Sequence, residues 1–272
     1  MQYKNIQGID VPEIGLGTNK LHDRDCEKAV RIALDIGYRH IDTAQMYKNE
    51  REIGQALSIS NVPREDIFLT TKIWHTNLDS EDVLQSTEES LRNLDTPYVD
   101  LLLIHWPNNQ YDLRSTIESM LVLRDQGKAM NIGVSNFPLN LLKEVNDDIR
   151  APIFCNQVEF HPFLDQLDLL DYAIEKDILL TAYSPLAQSK VMEDDTLIDI
   201  AENYGKSPAQ ISLRWLIEQE NVVAIPKASS KEHLEANFDI FDFQLSDEDF
   251  DRIDQIERQE RLVNPSFAPN WD

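Results

Sequence analysis

The feature that most constrains this chain is an alternation of eight short, nearly continuous apolar runs with longer amphipathic stretches. The runs fall at residues 14–18, 39–42, 67–72, 99–105, 129–135, 153–157, 178–183 and 222–225. A run such as Val99-Asp100-Leu101-Leu102-Leu103-Ile104 suits a parallel strand covered on both faces, where neither side can be polar. The stretches between them read as helices with recognisable ends. Asp23 opens a periodic segment that stops near Gly37, and Asp79 leads residues 81–94. Residues 164–176 and 194–204 follow the same pattern. Ser207-Pro208 suits an N-cap and first turn, and Ser229-Ser230-Lys231-Glu232 reads as a capping box after the eighth strand. Eight strand–helix units over about 250 residues predict a (β/α)8 TIM barrel. The expected organisation is a single domain over residues 1–272 with a short N-terminal hairpin before the first barrel strand. A doubly wound sheet is disfavoured by the count of eight and by the lack of any GxGxxG. Gly15-Leu16-Gly17 is read as a tight exit from the first strand.

Composition removes several function classes. The 49 acidic residues outnumber the 25 basic ones, for a formal net charge of −24, which disfavours nucleic acid as a partner because phosphate binding draws on clustered Lys and Arg. The acids are spread along the chain, so they form a solvated surface. They serve solubility, or adaptation to high salt, where screening removes their mutual repulsion. No run approaches the roughly 18 apolar residues of a membrane helix, and Met1-Gln2-Tyr3-Lys4-Asn5-Ile6-Gln7 lacks the apolar core of an export signal. A cytoplasmic location is expected. The two cysteines, Cys26 and Cys155, form no CxxC pair and read as small buried apolar residues, with no metal site.

In a barrel the reactive groups gather at the C-terminal ends of the strands, and polar residues end the apolar runs here one after another. Asp42, Lys72 and His105 close runs two, three and four. Ser135-Asn136, Gln157 and Tyr183-Ser184 close runs five, six and seven, and Lys227 lies just past run eight. Tyr47 follows Asp42 by five residues. A phenol titrates at about 10. A lysine ammonium beside it is expected to favour the phenolate and lower that value, with Asp42 holding the ammonium in place. His105 would then orient a carbonyl oxygen or pass a proton, and Tyr47 would protonate an oxygen that gains charge as hydride arrives.

The chain resembles the aldo-keto reductase superfamily from about residue 3 to the C-terminus, most closely its compact microbial members of the diketogluconate-reductase and general aldehyde-reductase type. The most specific segment is Gly37-Tyr38-Arg39-His40-Ile41-Asp42-Thr43-Ala44, then Tyr47, Asn49-Glu50 and Ile53-Gly54. Thr71-Lys72-Ile73-Trp74, Asp100-Leu101-Leu102-Leu103-Ile104-His105-Trp106-Pro107, Gly133-Val134-Ser135-Asn136-Phe137 and Asn156-Gln157-Val158-Glu159-Phe160-His161-Pro162 follow in order. Tyr183-Ser184-Pro185-Leu186 and Ile225-Pro226-Lys227 complete the set. The resemblance implies a catalytic tetrad of Asp42, Tyr47, Lys72 and His105 and reduction of small aldehydes, ketones, keto acids or keto sugars with a nicotinamide cofactor. It implies that Ser135, Asn136 and Gln157 hold the nicotinamide carboxamide and Tyr183 stacks on the ring, with Ser184 and Leu186 alongside. His161 is read as structural, part of a strand exit.

Two departures from the family pattern stand out. Lys227 matches a lysine offered to the adenosine 2′-phosphate, with Ser229 and Ser230 at a helix start suited to anions and Asn237 retained. His233 replaces a common arginine and Ala236 a common glutamate. NADPH is the expected cofactor because Lys227 is present, and its margin over NADH is reduced because a neutral imidazole cannot replace a guanidinium fork. At the substrate end Asn19 stands where an aromatic wall residue is common, and the loops over residues 107–113 and 186–194 are short. An open site is expected, walled by Trp74, Trp106 and the tail. The expected partner is a small carbonyl compound, and the expected state a monomer. The competing readings are a nicotinamide-binding redox sensor on the same fold, opposed by the intact tetrad, and a metal-dependent barrel enzyme, opposed by the lack of clustered ligands.

Overall fold

The computed structural model describes residues 1–164, 166–256 and 259–271. A two-stranded antiparallel hairpin, β1 (Tyr3–Ile6) and β2 (Ile9–Pro12), precedes an eight-stranded parallel sheet. The sheet runs in chain order through β3 (Leu16–Gly17), β4 (His40–Asp42), β5 (Phe68–Ile73), β6 (Val99–Ile104), β7 (Ala129–Ser135), β8 (Ile153–Glu159), β9 (Leu179–Tyr183) and β10 (Val222–Ala224). Backbone bonds from Gly15 N–H to the Ala224 carbonyl (2.9 Å) and from Gly17 N–H to the Pro226 carbonyl (3.1 Å) join the last strand to the first. The result is the expected (β/α)8 barrel. Among the described residues no helix is long and apolar enough to cross a membrane.

Gly15-Leu16-Gly17 differs from its expected role as an exit. Gly17 lies within β3, and a Cβ there would meet the Ile225 carbonyl oxygen at 2.6 Å. The bare backbone lets the barrel close. Gly133 acts similarly beside the β7–β8 register shift, where a Cβ would meet the Cys155 carbonyl at 2.5 Å.

The helices follow the amphipathic segments. Asp79 caps α3 (Ser80–Leu94) through Glu81 N–H, and Asp194 caps α7 (Asp195–Tyr204) through two N–H groups. Ser207 forms a full capping box with Gln210 at α8 (Pro208–Glu218). Two expected starts shift. Helix α1 (Asp23–Ile36) takes His22 as its cap residue and not Asp23. At α9 (Lys231–Phe238) the cap is Ser230, bonded to His233 N–H, so the third helical position falls on His233 and the expected box with Glu232 does not form. The segment expected at 164–176 is helical as α6 (Leu167–Glu175).

Strand alternation divides the core in two. Outward residues such as Leu16, Ile41, Leu102 and Ile104 pack under the helices. Inward residues Phe68, Leu101, Leu103, Leu179 and Val223 fill the barrel with Ile6 and Val11 of the hairpin. The hairpin therefore stoppers the N-terminal end; burying Ile6 and Val11 fully contributes about 2 kcal/mol each. Both cysteines are buried and unpaired, and burial pushes each thiol up to about 12. They are inert fillers.

Candidate active site

His40 and Asp42 point inward from β4, and Phe68, Thr70 and Lys72 from β5, because alternate residues share a face. The register pairs Asp42 with Thr70, so Lys72 stands one inward position higher. Its ammonium reaches back to Asp42 Oδ1 at 2.6 Å and to the Thr43 carbonyl at 2.8 Å. Both side chains are essentially removed from solvent. Gln157 Nε2 donates to the other Asp42 oxygen at 2.7 Å. Such a buried pair persists only when its remaining lone pairs and protons find partners. Burial pulls the Lys72 ammonium down, and the Asp42 charge and hydrogen bond oppose that pull.

Tyr47 ends a short turn, Gln45–Tyr47, directly after β4, with Lys48 left-handed at φ 55°. Side chains on both flanks hold this turn. Thr43 Oγ1 donates to Asn49 Oδ1 (2.7 Å), while Asn49 donates to the Thr18 and Leu21 carbonyls (2.9 Å each). Gln45 Oε1 accepts from Trp74 N–H at 3.0 Å. The half-buried Tyr47 ring has the Lys72 ammonium 5.0 Å from its centroid and meets His105 edge-on at 5.6 Å. Trp74 meets His105 edge-on from another side at 5.3 Å.

The electrostatics correct one expectation. Lys72 does not lower the phenol of Tyr47 in this state; burial first, and the Asp42 charge second, raise it well above its ordinary value. The Asp42 carboxylate, paired with Lys72, offsets much of the ammonium's pull on the phenol. Tyr47 is therefore fully protonated at neutral pH. His105 is displaced well below its usual range by burial, with the Lys72 charge and His75 adding to the effect. It is neutral, and its Nδ1 has no hydrogen-bond partner.

A cleft of about 1040 Å³ opens above these groups. Asp42, Tyr47 and His105 line it, while Lys72 lies beneath. Ser135, Asn136, Gln157, Tyr183, Ser184 and Leu186 line one side. Tyr183 OH donates to Asn136 Oδ1 (2.7 Å), and Asn136 Nδ2 to the His105 carbonyl (2.9 Å) and Ser135 Oγ (3.1 Å). Farther along, Lys227, Ser229 and His233 reach the same cleft, all exposed. Two expected residues do not reach it: Ser230 spends its hydroxyl on the α9 cap, and Asn237 is buried within α9. At the other end Trp74, Trp106 and the exposed Asn19 form the rim.

The tail encloses more of the mouth than short loops led us to expect. Leu262, Val263, Pro265 and Phe267 all line the cleft. Phe267 stacks on His75 at 4.2 Å and meets Trp74 and Trp106 edge-on, each at 5.7 Å. Sequence reasoning named the tail as a wall but none of these residues, and it missed the brace at Gln45. The apolar and aromatic spacing in 262–271 was the available signal.

A family model described as Aldo/keto reductase family matches residues 13–258, and the chain belongs to that oxidoreductase family. It is 42% identical over 258 residues to an aldo-keto reductase of Mycolicibacterium smegmatis, covering 94% of this chain and 93% of the relative. It is 41% identical over 266 residues to a glyoxal reductase of Bacillus subtilis, covering 97% and 94%. Among solved structures, a candidate 2,5-diketo-D-gluconic acid reductase B superposes with a TM-score of 0.97 at 40% identity, covering 100% of this chain and 98% of that one.

Proposed function

We propose that this chain reduces small aldehydes, dicarbonyls, keto acids or keto sugars with NADPH, NADH being the weaker cofactor, and that Tyr47 donates the proton. The observation that carries the reading is a neutral, fully protonated phenol standing beside a buried Lys72–Asp42 pair and a neutral His105 at one end of a long cleft. The donor set fits a nicotinamide carboxamide. Gln157 uses one amide N–H on Asp42 and Asn136 uses one carbonyl lone pair on Tyr183, which leaves an N–H, a carbonyl and a lone pair for a ligand. Tyr183 offers its ring face, and Lys227 and Ser229 stand where an anionic group would end. When bound, the nicotinamide supplies the hydride.

The protein's own part is proton control. His105, being neutral, orients a carbonyl oxygen through an N–H without placing a second cation beside Lys72. Tyr47 keeps its proton until that oxygen becomes alkoxide-like and more basic than a phenolate. Once the proton leaves, the phenolate forms on a ring whose centroid lies 5.0 Å from the Lys72 ammonium, an attraction that the Asp42 carboxylate on the same ammonium partly offsets. The high phenol pKa of the resting site thus suits a donor to a strongly basic acceptor.

The test is consumption of NADPH and NADH with glyoxal, simple aldehydes, keto acids and keto sugars, in wild type and Tyr47→Phe. Wild type should turn over, and Tyr47→Phe should lose about 10³-fold in kcat with cofactor affinity nearly unchanged. Retained turnover in the variant would overturn the role of Tyr47. Tight cofactor binding with no turnover on any carbonyl would favour a redox sensor.

A further inference from the structure

The strand exit Glu159-Phe160-His161-Pro162 takes no part in this chemistry, yet it contains a fully buried carboxylate. Glu159 ends β8. Its Oε1 accepts the Leu262 backbone N–H at 2.7 Å, and its Oε2 accepts that of Val263 at 2.9 Å. His161 Nε2 lies 3.0 Å from Oε1. Phe163 N–H donates to His161 Nδ1 at 3.3 Å, so the proton of the neutral ring sits on Nε2 and is donated to Glu159. Arg261, on the same tail segment, adds a favourable charge interaction with Glu159 and rests over Trp271 at 3.7 Å. Burial pushes the Glu159 carboxyl up, but the bonds from His161, Leu262 and Val263 more than offset this and hold it below the usual range. It stays ionised, and charge-assisted bonds to backbone N–H are stronger than neutral ones.

The described tail residues around these bonds have no regular secondary structure. Glu260 is held by the Phe163 carbonyl at 2.8 Å and by Lys190 at 2.6 Å, and the two Glu159 bonds carry that anchorage on to the amides at 262–263. Leu262 and Val263 nevertheless line the cleft. We propose that Glu159, oriented by His161, is a positioning residue that sets the cleft wall formed by Leu262 and Val263 and so decides how large a carbonyl substrate the site accepts. On this reading a carbonyl of two or three carbons at Tyr47 and His105 touches this wall less than a bulky one, since all four residues line one cleft. The proposal rests on the carbonyl-reductase reading for its kinetic consequence, though not for the tether itself.

Two measurements test it separately. In hydrogen exchange on the wild-type protein, the Leu262 and Val263 amides should exchange at least about tenfold more slowly than those of Asn264 and Phe267 in the same tail. Exchange at the rate of unstructured chain would overturn the tether whatever the protein catalyses. In Glu159→Gln, the ratio of kcat/KM for a bulky aromatic aldehyde to that for glyoxal should fall about tenfold, carried by KM. An equal loss on both substrates, tracking a smaller folded fraction, would overturn the positioning role. Should that variant fail to fold, His161→Ala retains both backbone bonds and should shift the ratio in the same direction by a few-fold; an unchanged ratio would overturn the role of His161.

Discussion

At the stoppered end of the barrel, His40 lies against Phe68 at 5.1 Å with neither ring nitrogen in a hydrogen bond. Two residues along the same strand, at the open end, Asp42 holds Lys72 at 2.6 Å and accepts from Gln157. Both ends bury titratable groups in one continuous interior, and they resolve the burial in opposite ways. At the closed end what favours a charge is too weak to offset its burial. Burial pulls the imidazole down to about 4, although the Asp42 charge opposes it and the Pro12 carbonyl lies near enough to favour the proton. At the open end each group of the pair has its partner within hydrogen-bond distance. The difference teaches that the barrel interior does not forbid charge as such. It forbids unpaired charge, and the open end is the place where strand exits and loops can supply the partners.

The most severe way to break this comparison is to unpair the open end. Lys72→Met leaves Asp42 buried beside an apolar chain. Unfolding in urea should show a loss of about 3–5 kcal/mol. Removing the second charge as well, in Asp42→Leu/Lys72→Met, should recover part of that loss, since no unpaired charge remains, while the Gln157 N–H and the Thr43 carbonyl still lose their partners. Neither variant should turn over a carbonyl. A double variant no more stable than the single one would show that packing, not unpaired charge, sets the loss.

The closed end supplies the converse test. The folded His40 takes up a proton only near pH 4, whereas the unfolded chain does so near 6.5. Between those values the unfolded state binds more protons, so its share of the population grows as pH falls. Stability should therefore drop through the window from about 6.5 to 4, by about 3 kcal/mol for this group. Above 6.5 the effect is absent. In His40→Leu that component should vanish, so the difference in unfolding free energy between wild type and variant should change by about this amount across the window. A difference that stays flat with pH would mean that His40 is not held neutral.

These two ends also mark what the sequence makes legible. Asp42, Lys72 and His105 stand out because each is a polar residue that terminates an apolar run, and a barrel sends every run to the same end. Tyr47 follows from chemistry, as the group a nearby ion pair would serve. His40 has the same spacing logic, yet nothing in the chain distinguishes an inward histidine at the closed end from one at the open end until the hairpin is seen to cover it. Glu159 reads as one polar residue in a strand exit beside His161, since the partners that give it a role in the tail are backbone N–H groups about a hundred residues away and carry no residue type. The α9 start shows a narrower limit. Ser229 and Ser230 both satisfy capping chemistry, and one residue of register decides that Ser230 is consumed by the helix while Ser229 faces the cleft.

The smallest effect concerns charge at the rim, and it compares Lys72 with Lys227. The first is fully buried and touches its counter-charge; the second is exposed at the far end of the cleft. An exposed cation acts through solvent and is screened within about 8–10 Å at moderate salt, while a buried pair is not. If Lys227 meets the 2′-phosphate, Lys227→Met should reduce the preference for NADPH over NADH about tenfold, a change of about 1.4 kcal/mol. His233→Arg should raise the preference, because a guanidinium fork replaces an imidazole at the α9 start. Molar KCl should shrink the wild-type preference in the way the Met variant does. The same salt should leave the Lys72–Asp42 pair intact, and with a net charge of −24 it should raise the melting temperature by screening the surface acids. A preference indifferent to both KCl and Lys227→Met would remove Lys227 from the phosphate and leave the cofactor choice to be made within the cleft.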